Sequence, residues 1–208
     1  MAITYPISLP TSLGISAITL KAKTADAVSS SPYTFKQQVI SHPGQRWEAS
    51  VEIAHHTKNT SEPWIAALMS LKGKAGTFLL SDPNCLTPMG SAKTTPGTPL
   101  VNGGSQTGST LNVDGLPVSV SKYLKAGDYI QLGAGSSAKL HKVLVDVNSN
   151  GSGLATLEIW PNLRSSPADN DPIVVANCAG VFRLTDDVSW DINSSSVYSI
   201  AFDCVEVL

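Results

Sequence analysis

Imidazoles, carboxylates, thiols and hydroxyls bind metals, move protons and attack carbonyls, and this sequence scatters them. His55 and His56 are adjacent, with His42 upstream, but neighbours on an extended strand point to opposite faces and do not close on one metal ion. His141 stands in an apolar run without a partner nearby and reads as a structural histidine. Asp169 and Asp171 flank Asn170, and Asp186 precedes Asp187. Neither group has the spacing of a calcium loop, and such carboxylates commonly shape turns. Cys85, Cys178 and Cys204 are odd in number and lack a C-x-x-C, which favours free thiols over a disulfide framework or a zinc site.

Serines are abundant, yet no G-x-S-x-G elbow occurs, and GAGSS at 133–137 has the composition of a turn. NGGSQTGS at 102–109 has phosphate-loop composition, but no Lys follows its last Gly and no helix begins there, so it reads as a loop. Of the four tryptophans, Trp47 and Trp64 fall on apolar faces described below. Trp160 and Trp190 remain as candidates for stacking on a sugar ring. These patterns predict no catalytic residue, no cofactor-binding residue and no metal ligand, and no cofactor.

The clearest elements lie between Gly44 and Pro83. In QRWEASVEI, Trp47, Ala49, Val51 and Ile53 alternate with Arg46, Glu48, Ser50 and Glu52, the period of a half-buried strand. Ser61 then offers an N-cap, Glu62 and Pro63 suit a first turn, and Gly73 offers a left-handed stop, predicting a helix over 61–72. Trp64, Ala67, Leu68 and Leu71 form its apolar stripe. GTFLLSDP reads as a short buried strand ending in a turn. SAITLKAKTADAVSSSP reads as a strand followed by a polar loop, and HPGQRW as a tight turn joining strands 33–41 and 45–53 in a hairpin.

After Pro83, NCLTPMGSAKTTPGTPLVNGGSQTGST reads as a long loop. TLNVDGLPVSV, AGDYIQLG, AKLHKVLVDV and GLATLEIWPNLR follow at regular spacing as strands of a small barrel or sandwich, with Val143, Val145 and Val147 opposite Leu157 and Ile159 in a hairpin. In the closing VYSIAFDCVEVL, Tyr198, Ile200, Phe202 and Cys204 alternate, and a terminal strand needs an established sheet. The expected fold is therefore mainly β. Residues 1–84 and 178–208 are expected to form one domain, with 95–175 inserted as a second β domain; two β domains in tandem are the simpler alternative.

Charged residues make up 14% of the 208, well under the ~25% of an average protein, so the surface is suited to extensive subunit contact. A net charge of -2 without a basic run gives nucleic acid no electrostatic footprint. MAITYPISLPTSLG lacks the basic and apolar regions of a signal peptide, and no apolar run approaches the ~20 residues of a span. Synthesis in a cytoplasm, without membrane insertion, is the expectation.

GQRWEASVEI, WIAALMSLKGKAGTFLLSDP, AGDYIQLG with KLHKVLVDV, EIWPNLR and GVFRL, in this order, resemble distal tail and tail-hub proteins of long-tailed, siphovirus-like bacteriophages of Gram-negative hosts. The resemblance covers residues from about 40 to 190. It implies a structural virion protein of the tail tip, assembled in the host bacterial cytoplasm. Copies would form a ring, typically a hexamer, joining the tail tube and tape measure to the hub and receptor-binding apparatus. The family's ring-forming part is a β-sandwich or split barrel with one flanking α-helix, mapping here onto 1–84 plus 178–208. Its outward domain, sometimes binding carbohydrate or side fibres, maps onto 95–175. The family supplies no catalytic residues. Alternatives are another tail protein (tube, terminator or hub subunit) and a carbohydrate-binding β module for a host glycan, which would use Trp160 and Trp190.

Overall fold

A computed structural model describes residues 3–11 and 14–208. Its strands are β1 (Ile7–Ser8), β2 (Ile15–Ser30), β3 (Gln37–Thr57), β4 (Phe78–Leu80), β5 (Leu100–Val101), β6 (Gly108–Asp114), β7 (Tyr129–Leu132), β8 (Lys139–Val143), β9 (Ala155–Leu163), β10 (Ile173–Val174), β11 (Gly180–Leu184), β12 (Ser189–Ile192) and β13 (Val197–Glu206). Helix α1 spans Lys58–Ser70. The fold is mainly β, with one flanking helix and a small, nearly closed barrel.

The first sheet runs β1-β4-β11-β13-β3-β2, with β12 beside β13. Its strands come from both ends of the sequence. Trp47, Ala49, Val51 and Ile53 on β3 turn inward with Tyr198, Ile200, Phe202 and Cys204 on β13, as period-two alternation requires. Trp64, Ile65 and Leu68 bring one stripe of α1 onto this layer, and Leu71, just past its end, continues it. Phe78 stands edge-on to Phe202 at 5.9 Å between ring centroids and stacks beside Phe182.

The helix begins at Lys58, three residues before the Ser61 start that the sequence suggested, and ends at Ser70 rather than Lys72. Ser61 is buried in its second turn and donates to the His56 carbonyl at 3.2 Å instead of capping. The chain leaves through two left-handed residues, Lys72 at φ 52° and Gly73 at φ 69°.

Two local expectations are corrected at the β2–β3 hairpin. The polar run TADAVSS, residues 24–30, is strand, not loop, and His42-Pro43-Gly44 is not a turn. Thr24 pairs Gln45 and Ala25 pairs His42, so Pro43 and Gly44 form a bulge without opposite numbers. A bulge suits proline, which has no N–H to give a ladder. The reversal of direction falls instead at residues 31–36.

The second sheet runs β10-β7-β8-β9-β6-β5, all from the stretch between β4 and β11. Its ends approach through the bonds from Ile173 N–H to Pro99 O and from Val101 N–H to Asp171 O, both 3.0 Å. Leu111, Val113, Leu124, Ile130, Leu157 and Ile159 fill its core. Strand β8 stops at Val143, earlier than the alternation suggested. Val145 is exposed, and Val147 bridges to Leu124.

Candidate functional site

Two regions combine exposure, charge or buried polarity in ways that packing alone does not explain. One is the junction of the two sheets. Trp47 Nε1–H on β3 donates to Leu140 O on β8 at 3.0 Å, and its ring meets Trp160 of β9 edge-on, 4.5 Å between centroids. Beside them Glu206 accepts at Oε2 from the Trp47 backbone N–H at 3.0 Å and from Arg164 Nη2 at 2.6 Å. Burial pushes the Glu206 carboxyl up and the Arg164 guanidinium down from their ordinary ranges, and each opposes the other's shift. Lys139 Nζ donates to Val207 O at 2.8 Å. His141 Nδ1 lies 2.7 Å from Pro161 O, and burial lowers its pKa to about 4. This junction is a structural polar network: every strong contact is internal.

The other region is the arm. Strand β13 accompanies β3 only as far as Glu48; from Arg46 outward β3 has β2 alone as its partner. Residues 23–46 thus form a two-stranded ribbon, almost wholly exposed on both faces, with Gln45 at its root accepting from Asn162 N–H at 2.7 Å and Arg164 Nη2 at 3.2 Å. Val28 pairs Val39, and Ala27 pairs Ile40. Consecutive pairs face opposite ways, so each face carries an apolar pair. At the tip Tyr33 is 92% and Phe35 81% exposed. Phe35 holds φ 54°, an outlier for a bulky residue, and donates its N–H to Ser31 O at 2.9 Å. Asp26 ties the two strands by accepting from Ser41 Oγ and Thr24 Oγ1, both at 2.7 Å, and these bonds lower its pKa.

The residues singled out in sequence are dispersed. Trp160 is half-buried against Trp47, whereas Trp190 is exposed on β12 of the other sheet. His55 Nε2 lies 3.1 Å from Ser199 Oγ at the surface. Among the described residues no three His, Cys, Asp or Glu side chains converge as a metal site would require. Cys178 and Cys204 are free and buried, and burial raises each thiol to about 12; Cys85 is half-buried, and burial with the nearby Asp82 raises its thiol as well. Asp171 accepts from Ala168 N–H at 2.7 Å as a turn carboxylate does, whereas Asp169 accepts from Gly103 N–H at 2.7 Å and ties its turn to the distant 102–109 loop. Gln106 pins the 102–109 loop by bonds to Asn102 O, Gly103 O and Asn112 N–H.

Sequence reasoning missed Asp128. This buried carboxylate accepts from Met89, Gly90 and Lys125 N–H and so fastens the long 85–99 segment to the barrel. Among the described residues no helix is long and apolar enough to cross a membrane. No protein-family model matches the chain, and no curated protein matches it.

Proposed function

We propose that this chain is a structural virion protein of a phage tail tip, whose copies close into a ring, a hexamer by the family resemblance. The ring would join the tail tube and tape measure to the hub and receptor-binding apparatus. The observation that carries this reading is the arm. An isolated two-stranded ribbon is marginal in water, and apolar pairs on both faces of residues 23–46 gain stability only when other surfaces cover them. Strand β2 adds to it: among the described residues it pairs on one edge only, leaving a long row of backbone groups for a neighbour. A closed ring satisfies such surfaces without leaving a free end.

A glycan-binding module is favoured less, because a stacking platform needs exposed rings side by side, and Trp160 packs inward while Trp190 stands on the other sheet. Electron microscopy of the purified protein tests the ring reading. Closed particles of fixed symmetry support it; a field of single small particles at every concentration contradicts it.

A further inference from the structure

We propose that the end of the barrel beside His141 is a binding site for a small hydroxy-carboxylate, a site that rests on the barrel alone and not on the ring reading. Several pieces of chain meet at this end. Strand β7 finishes at Leu132, the turn 133–138 leads into Lys139 at the start of β8, and β9 finishes at Leu163. The run 164–172 then crosses to β10, where Ile173 pairs Leu132. Between them lies a cavity of about 170 Å³ whose walls include Leu132, Lys139, His141, Leu163, Pro167 and Asp171. It has room for about five or six waters at ~30 Å³ each, or one small organic molecule in their place. Barrel mouths are a common place for such ligands.

His141 sets the first requirement on the guest. The residue is only 1% exposed, and its Nδ1 lies 2.7 Å from Pro161 O. A carbonyl oxygen only accepts, so the neutral ring carries its proton on Nδ1 and leaves Nε2 as an acceptor. Among the described residues Nε2 has no hydrogen-bond partner. A buried acceptor left unmet costs stability, and a guest that donates an O–H removes that cost. A metal ion would also take this nitrogen, but among the described residues no three His, Cys, Asp or Glu converge to complete its ligands.

Charge sets the second. Lys139 stands two residues before His141 on β8 and so shares its face. Its ammonium gives one hydrogen to Val207 O at 2.8 Å and keeps two more. Arg164 borders the cavity as well, but Glu206 Oε2 holds its Nη2 at 2.6 Å and answers its charge. Lys139 is therefore the cation with hydrogens to give, and it favours a carboxylate. The neighbouring His141 then takes a hydroxyl on the next carbon. An ammonium in that position would be repelled by Lys139, which selects a hydroxy acid over an amino acid. On the crossing run, Asp171 Oδ2 accepts from Ala168 N–H at 2.7 Å, and Oδ1 has no partner among the described residues, so it can take a second hydroxyl. Leu132 and Leu163 cover the carbon chain.

The test titrates the full chain, carrying nitrogen-15 in its four histidines, with glycerate, propionate and glycerol, and follows the ring resonances by NMR. The three probes share a three-carbon frame; propionate lacks the hydroxyls and glycerol the carboxylate. The spectrum of His141→Gln identifies the His141 signals. Glycerate should shift them saturably and leave His42, His55 and His56 in place. Propionate and glycerol should each bind about tenfold or more weakly, since each forfeits a bond to a buried or charged group. Lys139→Gln should weaken glycerate about tenfold while leaving glycerol as it was, a split that a merely structural role for Lys139 would not produce. Glycerate that moves no His141 resonance overturns the proposal. So does propionate or glycerol binding as tightly as glycerate, or a Lys139→Gln variant that holds glycerate like the unaltered chain or loses both probes alike.

Discussion

Arg164 Nη2 on the barrel side lies 2.6 Å from Glu206 Oε2 on the last strand of the other sheet, and the glutamate side chain is wholly buried there. The pair is strong and also demanding. Glu206 Oε1 and Arg164 Nε and Nη1 are buried without partners among the described residues, so either member left alone would be an uncompensated charge.

Arg164→Ala should therefore destabilise the protein by about 3–5 kcal/mol, the usual cost of breaking a buried pair from one side. Arg164→Ala combined with Glu206→Gln should lose less than the single change, because no buried charge remains. Urea unfolding of the three proteins reads both effects. A single variant as stable as the parent would show that the pair is not buried as described.

His141 predicts a pH dependence. Its folded pKa of about 4 lies below the ordinary imidazole value of 6.5, since burial opposes the charged ring. The shift is downward, so the neutral ring contributes stability in full above the unfolded value. That contribution is lost as pH falls from about 6.5 toward 4. His141→Gln should flatten the urea midpoint across that window. An unchanged slope would assign the dependence to another group.

Leu68 is fully buried beneath α1, whereas Met69 beside it is 59% exposed. Leu68→Ala should cost about 2–5 kcal/mol, and Met69→Ala should stay within about 0.5 kcal/mol. Leu68→Asp should unfold the first sheet and its helix outright. Thermal melts distinguish these outcomes, and equal effects at both positions would rotate the assigned helix face.

Much of the layered core was legible because burial on one face writes a period. The alternations at Trp47–Ile53 and Tyr198–Cys204 and the stripe at Trp64–Leu71 all turn inward. The arm was not legible for the same reason. A ribbon exposed on both faces has no inward set, so TADAVSSS has loop composition and HPG reads as a turn, although the chain runs straight through a bulge. Glu206 had a signal that went unused: it shares parity with Cys204 and so faces inward, where a carboxylate requires a buried donor. Nothing local pointed from Asp128 to Met89 and Gly90, because that bond joins residues about forty positions apart. Trp160 and Trp190 were singled out by elimination, and their separation onto different sheets is a matter of topology that spacing does not carry.

Light scattering on a size-exclusion column, for the full chain and for a variant in which an Asn-Gly turn replaces residues 25–44, tests the central claim most directly. Thr24 and Gln45 are paired, so the short turn closes the hairpin and leaves Gln45 bonded to Asn162 and Arg164. The account predicts a closed oligomer for the full chain, about 130 kDa if six copies of 21.8 kDa assemble. It predicts a cooperatively folding monomer for the shortened one. A full chain that stays monomeric across the concentration series, or a shortened chain that assembles equally well, would contradict it.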